Sequence, residues 1–231
     1  MNRSAYDPST GKYAAHCSTD FNEAAQGGIG AYVFRMEDGD AQEFHYMHRD
    51  GLRSKGGASS IVARDGGGFL TLLVGVNDQV QPAGYPDEPP TAIGIARWSA
   101  EGTSEGPVQW VVQNPTHYLS YATLVPIAPN RYLLGWGLMT ELGPGGEPFG
   151  DAAYRVPWEY WVVEIDEEGQ QLTEPMMLEG AGWGEVDEMA PLGQGRAGWA
   201  YIHDPTLSAE GEAPSCTQDT LQLSVYTSPL P

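Results

Sequence analysis

The sequence predicts an all-β protein in which one antiparallel unit is repeated along the chain. The strongest indication is a strand rich in glycine and aromatic residues that recurs four times, with starts separated by about 56, 63 and 65 residues. These strands are residues 13–19, 69–76, 132–139 and 197–203. The second indication is composition, since 30 glycines and 18 prolines occur without a sustained helical spacing of apolar residues. We therefore expect many short strands, tight turns and little helix.

Each recurring strand lies second in a predicted unit of about four strands. The second unit has strands at residues 59–64, 69–76, 92–99 and 108–112, and the third at 121–127, 132–139, 160–166 and 176–178. The fourth unit has strands at 186–192, 197–203 and 221–228 and then stops without an outer strand. The first unit has strands at 13–19, 30–36 and 41–47, preceded only by residues 2–6. Both terminal units are therefore expected to be incomplete.

Four-stranded antiparallel units at this spacing resemble the blades of a β-propeller. The resemblance covers essentially the whole chain and implies a single domain over residues 1–231, with about four blades at 1–50, 51–113, 114–179 and 180–231. These blades either close a small ring through complementary termini or belong to a larger ring. The alternative fold is a β-sandwich of the same strands, which the strand spacing also permits.

The charge balance limits the classes of partner. The chain carries 31 acidic and 11 basic side chains, for a formal net charge of −20. Such a charge repels phosphate backbones and anionic lipid headgroups, so nucleic acid and membrane surfaces are not expected partners. No stretch approaches the roughly 18 apolar residues that membrane insertion needs. The acidity is typical of solubility in an extracellular or cell-envelope setting, which we favour over the cytoplasm, and a basic partner or a bound cation is the alternative explanation.

The two cysteines, Cys17 and Cys216, lie near opposite ends of the chain. In an oxidising compartment their placement suits a disulfide that ties the first unit to the last. Two free thiols are the alternative.

Connection lengths predict where the working surface lies. In an antiparallel unit, the connections between first and second strands and between third and fourth strands leave one end, and the others leave the opposite end. The first class is short and rich in glycine and asparagine, which suits hairpin turns. The second class is long, at residues 20–29, 48–58, 77–91, 113–120, 140–159, 179–185 and 204–220. Because long loops on a rigid scaffold concentrate binding and catalysis, we place the functional surface at this end.

Several side chains at this end have the chemistry of a binding site. Trp158 and Trp183 lie at loop ends, where a flat ring can stack on a sugar or on an apolar side chain of a partner. His117, Tyr118 and Glu159 are further ligand-binding candidates on the same surface. Most other aromatic residues, including Trp136 and Trp199, are expected in the core.

Two carboxylates near the fourth unit are candidate cation ligands. Glu185 and Asp187 enter a predicted inner strand and point to the same side by its period of two. An acidic rim exposed to water is the leading interpretation, and Ca²⁺ bound by the carboxylate oxygens is the alternative. No cofactor is expected apart from this alternative Ca²⁺.

No nucleophile, phosphate-binding or dinucleotide-binding motif stands beside these features. The leading hypothesis is therefore a non-catalytic binding or scaffolding module that presents long loops to a protein or glycan. One alternative is a glycoside hydrolase or lyase that uses Glu159, Glu185 and Asp187. Another is a fragment of a larger propeller whose ring is completed by a second chain.

Overall fold

The computed structural model describes nine segments, and every regular element in them is a β-strand. The segments are residues 4–16, 28–38, 40–48, 58–75, 92–114, 117–141, 159–178, 189–203 and 220–230. The strands are β1 Ser4–Asp7, β2 Lys12–His16, β3 Gly28–Glu37, β4 Asp40–His48, β5 Ala58–Ala63, β6 Phe69–Gly75, β7 Ala92–Trp98, β8 Gln109–Gln113, β9 His117–Ala128, β10 Arg131–Glu141, β11 Glu159–Ile165, β12 Met176–Met177, β13 Ala190–Gly193, β14 Arg196–His203 and β15 Thr220–Thr227. These segments contain no helix capable of crossing a membrane.

The strands form four antiparallel sheets, and each sheet uses strands that are consecutive in the chain. Sheet I contains β1 to β4, sheet II β5 to β8, sheet III β9 to β12, and sheet IV β13 to β15. Within every sheet, neighbours in sequence are neighbours in space. The all-β class and the antiparallel pairing of consecutive strands are thereby confirmed, and the last sheet has three strands as expected. The expectation that the first unit is incomplete is wrong, because Ser4–Asp7 forms β1 and gives sheet I four strands.

The tight turns follow the residues that the sequence placed there. Between β9 and β10, the two-residue turn depends on Asn130, whose φ of 51° lies in the left-handed region that asparagine tolerates. Between β13 and β14, Gln194 has a φ of 55° and precedes Gly195 with a φ of 72°. These turns join adjacent strands of each sheet directly.

The hydrophobic core is divided into three layers, each between two consecutive sheets. Sheets I and II enclose the first layer, which includes Val33, Phe69 and Trp98. Sheets II and III enclose the second, and sheets III and IV enclose the third. Sheets II and III are thus buried on both faces, while the described residues cover sheets I and IV on one face each.

Strand sequences reflect this difference in burial. In β6, Phe69 and Leu73 face sheet I while Leu70 and Leu72 face sheet III, so apolar side chains are buried on both faces of the strand. In β15, by contrast, Tyr226 is buried against sheet III, and its neighbour Val225 is 57% exposed. Burial on both faces therefore distinguishes a strand of an inner sheet from one of an outer sheet.

The ends of the sheets are of two kinds. We call one end the turn pole; it carries the connections β1–β2, β3–β4, β5–β6, β7–β8, β9–β10, β11–β12 and β13–β14. The opposite strand ends form the connector pole. Hydrogen bonds join the turns of consecutive sheets: Gly68 N donates to Asp7 at 2.9 Å, Asn130 N to Asp65 at 2.5 Å, and Gly195 N to the Ile127 carbonyl at 3.0 Å. The turn ends of all four sheets consequently lie side by side.

Candidate functional site

The first strands of all four sheets line one shared cavity of about 170 Å³. Its wall comprises Ser4 of β1, residues 60–62 of β5, residues 124–126 of β9, and Met189 and Pro191 at β13. These described lining residues offer hydroxyl and apolar groups and no carboxylate. The described wall of this cavity therefore lacks the acid and base that glycoside hydrolysis would need.

Charged side chains at the turn pole form ion pairs and hydrogen bonds between one sheet and the next. Arg64 donates to Glu105 at 2.6 Å within sheet II and to both carboxylate oxygens of Glu167 in sheet III, at 3.1 and 3.2 Å. Burial disfavours the charge of Arg64, but the hydrogen bonds from Arg64 to Glu167 and Glu105 outweigh that effect and raise its pKa. The backbone N–H of Glu167 in turn donates to Asn130 at 3.0 Å. This cluster is a structural joint between sheets II and III.

A second joint connects sheets I and II through a buried carboxylate. Asp7 has no exposed surface. Its Oδ1 accepts hydrogen bonds from the Ser9 backbone at 2.9 Å and the Ser9 hydroxyl at 2.6 Å, and its Oδ2 from Thr10 at 2.8 Å and Gly68 at 2.9 Å. Burial by itself would raise the pKa of Asp7, but these hydrogen bonds together lower it below the ordinary value.

The Asp7 carboxylate is expected to make stability depend on pH in the acid range. A lowered pKa in the folded state stabilises the protein above the unfolded-state pKa, near 3.8, and this contribution is lost as pH falls through the folded-state pKa. We expect Asp7→Asn to lower the free energy of unfolding by about 1 to 3 kcal/mol at pH 7. The difference from wild type should shrink below about pH 4. Urea unfolding between pH 7 and pH 3 measures it.

Asp40→Asn is the control for this experiment, since Asp40 is exposed on β4. It should leave the pH dependence of unfolding unchanged. A wild-type advantage over Asp7→Asn that stayed constant on acidification would contradict the role of the Asp7 charge.

A buried ionic cluster joins sheets III and IV. Glu164 of β11 is fully buried and accepts a hydrogen bond from the Tyr226 hydroxyl at 2.8 Å. Arg131 Nε lies 3.4 Å from the other carboxylate oxygen, and Arg131 Nη2 donates to Ser228 at 2.6 Å. Burial raises the pKa of Tyr226, and the hydrogen bond to Glu164 raises it further.

The structure brings three of the sequence-predicted site residues to one end of sheet III. His117 and Tyr118 begin β9, Glu159 begins β11, and both strand starts lie at the connector pole. The prediction of a long connection at 113–120 is wrong, because β9 begins at His117 and only residues 114–116 separate it from β8. Leu138 of β10 pairs with Leu119 on one side and with Glu159 on the other. Glu159 is half-buried and accepts a hydrogen bond from Trp161 Nε1 at 2.9 Å. Its carboxylate thus lies beside an aromatic side chain.

The other candidates lie outside the described residues. These are Trp158, Trp183, Glu185, Asp187, Cys17 and Cys216. Within the described segments, no group of three or more His, Cys, Asp and Glu side chains is placed to hold a metal ion. The binding, calcium and disulfide assignments remain predictions.

The aromatic residues assigned to the core are found there. Trp136 and Trp199 are both 5% exposed, in the second and third core layers respectively. Trp161 is partly buried and stacks on Trp136, with ring centroids 6.4 Å apart. The prediction of a structural role is confirmed for Trp136 and Trp199.

The buried polar joints are what the sequence interpretation missed. A signal for one of them was present, because Glu164 interrupts the apolar strand Tyr-Trp-Val-Val-Glu-Ile at an inward position. A carboxylate at such a position requires a buried partner. Nothing local in the sequence indicated that Arg131 and Tyr226 would supply it.

No family model matches the chain, and no curated protein matches it. Among solved structures, an endo-arabinase from Bacteroides thetaiotaomicron is similar with 12% identity and a TM-score of 0.30, over 96% of this chain and 92% of the other. At a TM-score this low, the activity of the endo-arabinase is not transferred to this chain.

Proposed function

We propose that the protein is a non-catalytic binding module that presents its connector pole to a glycan or protein partner. The observation that carries the proposal is the contrast between the two poles. At the turn pole, charged side chains are committed to joints between sheets, as for Arg64 with Glu167 and Asp7 with Gly68. At the connector pole, the long connections at residues 17–27, 49–57, 76–91, 142–158, 179–188 and 204–219 all attach to strand ends on the same side.

The same proposal includes the arrangement of the four sheets as successive blades of a propeller. Support comes from the shared cavity, which the first strand of each sheet lines, and from core layers that connect the sheets in chain order. Blades around a common axis would direct every long connection to one surface. Such a surface could contact a ligand with several loops at once.

The ligand class follows from chemistry at this pole. Trp158 and Trp183, which lie outside the described residues, would provide flat apolar faces, and Glu159, His117 and Tyr118 would provide hydrogen-bonding groups for hydroxyls. The net charge of −20 repels acidic polysaccharides. A neutral glycan is therefore the first ligand to test.

Replacing Trp158 or Trp183 by alanine is expected to weaken glycan binding by at least about tenfold, because each substitution removes a stacking surface. The labelled protein is screened on an array of neutral polysaccharides, and the variants are then titrated against the glycan it retains. Thermal unfolding should be unchanged.

Tyr6→Ala is the matched control, since Tyr6 is an exposed aromatic residue on β1 of sheet I, outside the proposed site. It should bind as wild type does. Wild-type affinity in both tryptophan variants, or hydrolysis of the bound glycan by the wild-type protein, would refute the proposal.

A further inference from the structure

The last sheet has an open edge in the part of the chain that the structure describes. Sheets I, II and III each have four strands, whereas sheet IV ends at β15 with no described strand on its outer side. The strand itself, Thr-Leu-Gln-Leu-Ser-Val-Tyr-Thr, contains no charged residue and no proline. Edge strands ordinarily carry such residues to prevent pairing with other chains. This edge is therefore suited to pairing.

A groove of about 450 Å³ lies beside that edge, between sheets III and IV. Its apolar lining includes Val162, Met176, Leu178 and Trp199. Met176 is 46% exposed and belongs to β12, the outer strand of sheet III. The groove thus occupies the place where a fourth strand of sheet IV would pack against the outer strand of its neighbour.

The charge around the groove indicates what kind of strand fits. Among the described residues that line the groove, Glu174 is the one charged side chain, and it is exposed. The whole chain carries a net charge of −20. A second copy of this chain would bring acidic surface against acidic surface, whereas a basic segment would be attracted to it.

We propose that an extended segment of a partner protein, with alternating apolar and basic residues, adds to β15 as the fourth strand of sheet IV. Its backbone would pair with the edge of β15 that has no described strand beside it, and its apolar side chains would fill the groove beside Met176 and Trp199. Because alternate side chains of a strand point to opposite faces, its basic side chains would lie on the face away from the groove, and the basic side chain nearest the turn pole would extend round the end of the strand toward Glu174. This site lies on the outer rim near the turn pole, so it is distinct from the connector pole.

The test uses a capped eight-residue peptide that alternates valine and lysine. Calorimetry measures its binding to the full chain, and hydrogen exchange monitors the amides of Thr220–Thr227. We expect binding, with slower exchange along β15. Glu174→Lys should lower the affinity for the valine–lysine peptide by about tenfold and allow a valine–glutamate peptide to bind. Glu174→Gln should give an intermediate affinity for the valine–lysine peptide.

Two controls make the result specific. Glu37→Lys changes the net charge equally at an exposed position of β3 and should alter affinity less than about twofold. Two isomeric valine–lysine peptides are N-methylated at alternate residues, one isomer along each edge of the strand. A methylated edge cannot pair, so the isomer whose methylated edge faces β15 should not bind.

Some outcomes would overturn the proposal. These are no binding of the lysine peptide, equal weakening by Glu174→Lys and Glu37→Lys, or unchanged binding of both N-methylated isomers. A dimer in sedimentation that Val225→Lys dissociates would assign the edge to a second copy instead.

Discussion

Replacing Glu164 by alanine is expected to lower the free energy of unfolding by about 3 to 5 kcal/mol, because the substitution removes a buried carboxylate from a largely buried arginine and a buried tyrosine hydroxyl. The carboxylate is fully buried, accepts the Tyr226 hydroxyl at 2.8 Å and lies 3.4 Å from Arg131 Nε. Its removal takes away the acceptor of the Tyr226 hydroxyl and the counter-ion of Arg131 between sheets III and IV. Urea unfolding at pH 7 measures the loss.

The matched comparison is Glu168→Ala, which breaks an ion pair with Arg97 at 3.4 Å that is partly open to solvent. That pair should contribute less than about 1 kcal/mol. A triple variant, Glu164→Leu with Arg131→Met and Tyr226→Phe, removes the whole cluster and should recover most of the lost stability. If Glu164→Ala were as mild as Glu168→Ala, the buried cluster would not be the joint that we describe.

Replacing Gly68 by alanine should be about as damaging, with an expected loss of about 3 to 5 kcal/mol from backbone strain and steric overlap. Gly68 has a φ of 85°, in the region that L-residues rarely adopt. An added Cβ would overlap the Trp98 carbonyl oxygen and lie 3.0 Å from the Ser99 carbonyl carbon. The same residue donates its N–H to Asp7, so the joint between sheets I and II would be displaced as well.

Gly66→Ala provides an internal control two residues away in the same turn. A Cβ at Gly66 meets nothing within 4 Å, and its φ is not in the left-handed region. We expect its unfolding free energy to stay within about 1 kcal/mol of wild type, with stabilisation the favoured direction. Equal changes in unfolding free energy at both glycines would contradict the steric overlap between a Cβ at Gly68 and the Trp98 carbonyl.

These predictions place the residues that determine stability and the residues that bind ligand in different parts of the molecule. Asp7, Gly68 and Glu164 join consecutive sheets and should change unfolding. Trp158 and Trp183 should change ligand affinity alone. Substitutions can therefore separate effects on unfolding free energy from effects on ligand affinity, provided that affinity is measured on variants whose unfolding free energy is unchanged.

Much of the fold was predictable because strands and turns have local signals. The strand predicted at residues 69–76 is β6, Phe69–Gly75, and the one predicted at 92–99 is β7, Ala92–Trp98. Asn130 occupies a turn that needs positive φ. The first unit was expected to be incomplete, which is wrong, because Ser4–Asp7 forms a first strand that pairs with β2.

The candidate site was less predictable. Sequence order placed His117 and Glu159 at the same end of their unit, and the strand starts agree. The groove between sheets III and IV could not be foreseen, since Met176 and Trp199 belong to different units. Their proximity depends on how the sheets pack.

The amino-acid sequence alone determined the strand class, the antiparallel order within each unit, and the tight turns at residues such as Asn130 and Gly195. Periodicity and turn chemistry act over a few residues, so they can be recognised along the chain. Only the tertiary structure decided which sheets bury both faces, how Arg131 and Tyr226 satisfy Glu164, and where the outer groove opens. Those outcomes depend on contacts between residues far apart in sequence, which no local pattern encodes.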